Sequence, residues 1–479
     1  MGGTQIQAHE AVSRCIAVLD VGTTAVKACL FSPSLELLAC SVQEYALRTQ
    51  GERVEADAAQ YKAAARAGLA DALSQAPGCI PAAVSITTQG ETLTLADRSG
   101  EPLRPFLVWL DSRAENEAQA LRSVLDNETF YKTTGLPEVT GALPLAKLLW
   151  LRKHEPDTFA RAHKLLLLED YLLHWLTGRF VSEKSLQTST GWFDLHSDGL
   201  WHRGPAAELG LPPNIPVVAG AMDQTAAALA AGCTRPGTVT ETTGTALVMA
   251  ACTDAPMFRS GHHVTVYRHA LPGKYLYLPI GNTAGMALRW FRDEFCRDLP
   301  AGAAGYAALD ALVQSVPCGC DGLAFLPFLS GSVDPDACPE ARAAFFGARL
   351  STTRAHFARS VMESVAFLLR DFFGMLNALG CPADTVYSLG GGARSAVWQQ
   401  IKADACGRTF RVPACSEATA MGAALLAGWG SGLIASGVFP CRGESAVYLP
   451  DNARAPAYDT AYSLYKKLYA AVKPLYNAF

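Results

Sequence analysis

The sequence predicts an α/β protein of two domains, and three observations lead there. At 479 residues the chain exceeds what one hydrophobic core serves, at about 100–200 residues per domain. Short β-branched apolar runs alternate with longer stretches at helical spacing, the pattern of layered strands and helices. A strand ending in a Gly/Thr turn occurs twice, as DVGTTAVK around Gly22 and as TVTETTGTALVMA around Gly244, which reads as one hairpin duplicated in the two halves. The boundary is placed near Gly232, giving domains 13–231 and 232–479.

From Cys15, CIAVLDVGTTAVKACLFSPSLELLA is an apolar run, a polar turn and a second apolar run: a β-hairpin with Asp20, Gly22, Thr23 and Thr24 at its tip. Ala56 to Gln75 has the Ala/Leu spacing of an amphipathic helix, and AAVSITTQG is a strand ending in small polar residues. PVVAGAMD is a further strand, followed by the small-residue helix QTAAALAAG. In the second half, Ser360 to Leu379 is an apolar helix, TVYSLGGG a strand, and a helix follows Arg394. Thr419 to Gly428 is a small-residue helix of that half, and Tyr458 to Leu475 a terminal helix with aromatics on one face.

Half of the residues are hydrophobic and 18% are charged, as in a globular enzyme. The formal charge is 40 − 44 = −4 and no Lys/Arg block occurs, which argues against nucleic acid or a membrane surface as partner. Met1 to Arg14 lacks the apolar run of an export signal, and no stretch reads as a membrane span. A cytoplasmic enzyme acting on a small molecule is expected, with at most a second copy of the chain as protein partner. The fourteen cysteines are scattered and read as reduced thiols. Cys318 and Cys320, with no second Cys/His pair nearby, do not read as a zinc site.

Five stretches carry candidate chemistry. In Asp20-Val-Gly22-Thr23-Thr24 with Lys27, glycine lets the backbone approach a phosphate, hydroxyls and main-chain N–H groups can hold its oxygens, and Asp20 could hold Mg²⁺. The alternative is a turn that simply uses Gly and Thr. Thr243-Gly244-Thr245 offers a second such turn, or a Thr-rich strand chosen for packing. Gly390-Gly391-Gly392-Ala393-Arg394, between strand and helix, can let a base or ribose lie on bare backbone. It fits neither the dinucleotide fingerprint nor a Walker A loop. Asp223, followed by Gln224, stands at a strand end where α/β sheets meet ligands, and reads as a ligand-facing acid or a helix cap. Gln89-Gly90-Glu91 with Trp109 and Asp111 could hold sugar hydroxyls. Trp109 reads equally as core, and Asp111 with Arg113 as a structural pair; Glu91 is the better ligand.

Taken in order, DVGTTAVK, TTQGET, WLDSR, AGAMDQ, TTGT, NTAG before LRWF, FLPFLSG, GGGARSAVW and EATAMGAALLAG resemble the FGGY carbohydrate kinases. The resemblance runs from about Cys15 to the terminal helix. It implies two ribonuclease-H-like domains of the actin/hexokinase/heat-shock ATPase type around a central cleft, with ATP and Mg²⁺ required. It also implies roles: Asp20, Gly22, Thr23, Thr24 and Lys27 as the first phosphate and magnesium loop, Thr243, Gly244 and Thr245 as the second. Gly285 would approach the phosphates, and Gly391, Gly392 and Ala393 the adenosine. Asp223 would be the catalytic base and share the metal with Asp20. Gln89, Gly90, Glu91, Trp109, Asp111, Asp223 and Gln224 would bind the acceptor.

The sequence departs from the family at two places. Gly90-Glu91 stands where glycerol kinases carry Arg-Glu and xylulokinases a Met-His-Gly run, so the expected pentulose, such as xylulose, competes with glycerol or another polyol. Residues 195–215 are shorter than usual, which keeps open an impaired, purely sugar- and nucleotide-binding protein on the same scaffold.

Overall fold

The structure is a computed structural model and describes residues 13–195, 217–259, 263–300, 302–383, 385–414, 417–437 and 443–478. Residues 196–216, which hold nearly all of the shortened segment, lie outside that set. Contacts within the chain divide it into two units, Met1–Ala230 with Glu417–Cys441, and Ala231–Ser416 with Arg442–Phe479.

The first unit is built on a five-stranded sheet in the order Val217–Ala219, Cys79–Thr88, Ser13–Val21, Ala25–Phe31, Leu37–Glu44. The first three strands run parallel and the last two turn back antiparallel. From Cys15 onward every residue of Ser13–Val21 is buried, because both faces are covered. On one face Leu19, Val21, Ala28 and Leu30 pack with Tyr61, Ala65 and Leu69 of helix Ala58–Gln75. Asp57 starts that helix by accepting from the Ala59 N–H at 3.0 Å.

The other face is covered by helix Ala418–Ser431, which lies on strands Ser13–Val21 and Cys79–Thr88 and on helix Asp223–Ala230. The sequence places this helix with the second half; the fold returns it to the first unit. Its residues Ala420 to Gly428 are all buried. A Cβ on Gly422 would run into the Ala226 carbonyl, so these two helices meet at a separation that only glycine allows.

The second unit repeats the topology. Strands Thr409–Pro413, Thr385–Leu389 and Thr238–Thr243 run parallel, followed by antiparallel Leu247–Thr253 and Tyr275–Tyr277. Helix Arg354–Ala378 packs below, starting before the expected Ser360. Thr353 and His356 bond at 2.9 Å across its first turn. Arg359, buried, pairs with Glu363 at 2.7 Å, so its charge does not break the apolar face. The duplicated hairpin is therefore real: in each unit the first strand pairs antiparallel with its hairpin partner and parallel with a later strand. No helix among the described residues is long and apolar enough to cross a membrane, and every cysteine among them is a free thiol.

This arrangement positions the chemistry. In the first unit the carboxyl ends of three parallel strands release residues 22–24, 89–91 and 220–223 at the same sheet edge. In the second, the carboxyl ends of two neighbouring strands release residues 244–246 and 390–394. Strand ends of this kind are where α/β sheets take ligands.

Candidate active site

In the first unit the turn after Val21 is held by the Gly22 N–H donating to the Ala25 carbonyl at 3.0 Å. Tyr45 supports it through its own N–H to the Thr24 carbonyl, at 2.9 Å, and its hydroxyl to Gly22 O. Asp20 stands directly across the hairpin from Lys27. Burial pushes the Asp20 carboxyl up to about 7; Lys27 opposes that rise, and Asp223 and Glu417 add to it by repulsion. Burial alone would lower Lys27, but Glu417, with Oε2 at 2.7 Å from Nζ, and Asp20 more than offset this.

Asp223 opens helix Asp223–Ala230. The Thr87 hydroxyl donates to the Ala221 carbonyl at 2.6 Å, and the Met222 N–H donates to Ser185 Oγ at 3.0 Å, fixing the approach to the helix. Burial raises the Asp223 carboxyl to about 6, against the Gln224 N–H that donates to it at 2.6 Å. Asp223 is the first residue of its helix, and its contact is to the next N–H and not to one two or three residues on, so it does not make the bond of a helix cap.

Beside them, Gln89 is buried, and neither its Oε1 nor its Nε2 has a partner among the described residues. A buried amide without partners is costly and therefore rare. Glu91 follows with φ at 60°, a left-handed conformation seldom adopted by Glu, held by its N–H on Ser189 Oγ at 3.3 Å. Burial pushes the Glu91 carboxyl up, against the pull of Lys147. Lys147 is itself fully buried and donates to the Val108 carbonyl at 2.9 Å.

Trp109 is not core. It is 38% exposed, and its Nε1 donates to Thr23 Oγ1 at 2.9 Å, tying the candidate acceptor residues to the phosphate turn. Asp111, by contrast, is a structural pair and not a free ligand. It is fully buried, its Oδ2 accepts from the Val54 N–H at 2.7 Å, and Arg113 covers the carboxylate with contacts of 2.7 to 3.0 Å. Gln224 is half-buried in the first turn of its helix.

In the second unit, the exposed Thr245 accepts through its carbonyl from the N–H groups of Ala284 and Met286 at 3.1 and 3.2 Å. The Gly285 N–H donates to the Gly244 carbonyl at 2.9 Å, placing the start of helix Gly285–Phe295 on that turn. Gly391, Gly392 and Ala393 form a single tight turn ahead of helix Ala396–Cys406, which Ser395 caps through the Trp398 N–H at 3.0 Å. Thr243 departs from expectation. Its hydroxyl is buried and engaged by Glu241 and Lys402, so its side chain is not available to a phosphate.

Sequence reasoning missed Glu417, Lys147, Glu241 and Lys402. Each acts through a partner far along the chain. The one local signal was an acid immediately before the small-residue helix, which reads as an ordinary helix start.

Residues 15–203 match the N-terminal domain model of the FGGY family of carbohydrate kinases, and residues 239–431 match the C-terminal domain model. A gluconokinase of Bacillus subtilis is 26% identical over 94% of this chain and 94% of its own. A xylulose kinase of Staphylococcus epidermidis is 27% identical over 82% of this chain and 83% of its own. The crystal structure of a xylulose kinase from Rhodospirillum rubrum superposes with a TM-score of 0.85 at 31% identity, over 97% of this chain and all of that one.

Proposed function

This chain belongs to the FGGY family of carbohydrate kinases, and from that premise we propose that it transfers the γ-phosphoryl group of ATP to a terminal hydroxyl of a pentulose such as xylulose. The observation that carries the proposal is Asp223: a half-buried carboxyl just beyond a strand end, pushed up to about 6, whose charge in turn raises Asp20. A group with that affinity for protons can accept one from an attacking hydroxyl near neutral pH.

Asp223 takes the proton as the acceptor oxygen attacks. Glu91 accepts hydrogen bonds from acceptor hydroxyls, and Gln89, with both amide atoms unpartnered, donates and accepts. Gly90 packs closely on Ser189 and Met222, where a Cβ would lie 3.2 and 3.3 Å from Oγ and Sδ. Gln224 completes the polar wall, and Trp109 offers a flat face for the sugar. Asp111 contributes by holding Arg113 and the local backbone. Lys27 and the turn at Gly22, Thr23 and Thr24 meet phosphate oxygens. In the second unit, the backbone of Thr243, Gly244 and Thr245 with Gly285 holds the phosphates, and Gly391, Gly392 and Ala393 the adenosine. The Gly244 and Gly285 N–H groups are already bonded to the Ala246 and Gly244 carbonyls, so these glycines serve by letting a phosphate approach closely.

Asp20 and Asp223 fit a magnesium ion. They are two hard oxygen donors, and Asp223 repels Asp20, a repulsion that a cation would relieve; phosphate oxygens and water can complete six ligands. When bound, the ion would neutralise charge on the phosphoryl oxygens during transfer.

Xylulose is favoured by the 31% identity to the Rhodospirillum rubrum structure. Gluconate is the second reading, favoured by the near full-length match to a gluconokinase. The test is ADP release over a panel of xylulose, ribulose, gluconate, glycerol, erythritol and ribitol, with Asp223→Ala as control. Turnover with xylulose that vanishes in the variant is expected. Turnover with another acceptor alone overturns the substrate, and ATP binding without any turnover supports the impaired-binder alternative.

A further inference from the structure

Four side chains in the core of the second unit form a closed polar cluster beneath both candidate nucleotide turns. Lys402 and Glu241 are fully buried, with Thr243 and Ser388 nearly so. Lys402 Nζ donates to Glu241 Oε1 at 2.8 Å and to Thr243 Oγ1 at 2.7 Å, and lies 5.2 Å from the Trp398 ring centroid. The Thr243 hydroxyl donates to Glu241 Oε2 at 2.7 Å, and the Ser388 hydroxyl donates to Oε1. The Thr243 hydroxyl thus spends its single proton on Glu241 and receives one from Lys402, which leaves its side chain one rotamer.

That rotamer matters because the neighbouring turn is built against it. A Cβ on Gly392 would lie 2.6 Å from Thr243 Cβ and Cγ2, and one on Gly390 would lie 3.0 Å from the Thr243 carbonyl oxygen. Gln399, one turn before Lys402 on the same helix, donates from Nε2 to the Gly392 carbonyl at 3.1 Å. The Gly392 turn thus rests on the Thr243 side chain and Gly390 on its carbonyl, so a change of Thr243 rotamer alters the surface against which the Gly390–Ala393 turn is packed. A buried ion pair is seldom retained for stability, since an apolar pair of similar volume is often as stable; its attested use is to fix one arrangement among several.

We propose that Lys402 and Glu241 are positioning residues that lock Thr243, and with it the Thr243–Thr245 and Gly390–Ala393 turns, in the one arrangement that receives the ATP phosphates. This rests on the reading of those turns as the nucleotide site. The pair touches no substrate and acts only through Thr243.

The test is equilibrium titration of ATP into the full-length protein, with thermal melting and steady-state KM values for ATP and for the acceptor. The variant Lys402→Met/Glu241→Gln removes both charges; the new amide carbonyl can still accept from Ser388, but Thr243 loses the Lys402 donor and the carboxylate oxygen it donated to. It should melt near the wild type yet bind ATP about tenfold more weakly or worse, the scale of one charge-assisted hydrogen bond, with the acceptor KM moving less than about twofold. Thr243→Val should do the same and serves if the double variant does not fold. Folded variants that bind ATP like the wild type overturn the inference, as does a loss of binding that only follows a lowered melting temperature, or failure of both variants to fold. A wild type that binds no ATP would instead sink the functional reading itself.

Discussion

Glu417 Oε2 lies 2.7 Å from Lys27 Nζ, joining residues 390 positions apart within one structural unit. Lys27 also faces Asp20 across the hairpin, and Glu417 holds its ammonium through the ion pair. Glu417→Gln should release Lys27 while removing one source of repulsion on Asp20. Because the lysine is 40% exposed, the melting temperature should change little. The effect should appear as about a tenfold fall in kcat/KM for ATP, read by steady-state kinetics.

Asp223→Asn keeps the shape and the helix start but cannot accept a proton. It should lower kcat by about 10²–10⁴-fold while acceptor binding, measured by titration, is retained. The wild-type profile carries a sign. With the carboxyl raised to about 6, the ionised base is lost as pH falls through that value, so kcat should rise with pH across it. The residual activity of Asp223→Asn should lack this acid limb.

Gln89 gives a separable signature. Both its amide atoms are buried without partners, so Gln89→Met removes an unsatisfied group at similar volume. The variant should be as stable as the wild type or more so, by about 1 kcal/mol, in urea unfolding. Its acceptor KM should nevertheless rise. A protein that is both less stable and unchanged in KM would exclude a ligand role for this residue.

Asp111 should behave in the opposite way. Asp111→Ala leaves the buried Arg113 guanidinium with Glu55 alone, and should cost about 3–5 kcal/mol in urea unfolding. Under stabilising conditions the folded fraction should show an acceptor KM near that of the wild type. A large KM change at unchanged stability would restore Asp111 as a ligand.

Gly422→Ala tests the return of residues 417–441 to the first unit. The added methyl meets the Ala226 carbonyl in the helix that Asp223 begins, so the helices must separate. A loss of about 1–3 kcal/mol is expected, with kcat reduced because the base moves with its helix.

Much of the first unit's site is written locally. Asp20 and Lys27 are seven residues apart on two strands of one hairpin, and the turn between them needs only Gly22, Thr23 and Thr24 to be legible. Asp223 announces itself as an acid where an apolar strand gives way to a small-residue helix. Trp109 and Asp111 could not be told apart in this way. They sit two residues from each other, and whether each is wall or support depends on Thr23, Val54 and Arg113 arriving from other elements.

By itself, then, the sequence determined the strand-turn-strand units, the duplicated hairpin, the order of the motifs and the residue types able to hold phosphate and move a proton. These follow from period, glycine placement and chemistry within a few residues. Only the tertiary structure decided that the Ala418–Ser431 helix belongs to the first unit, that Glu417 reaches Lys27, and that Lys402 and Glu241 claim the Thr243 hydroxyl. The physical reason is burial. Once a charge is taken out of water its partner is fixed by what the sheet brings alongside, not by what precedes it in the chain.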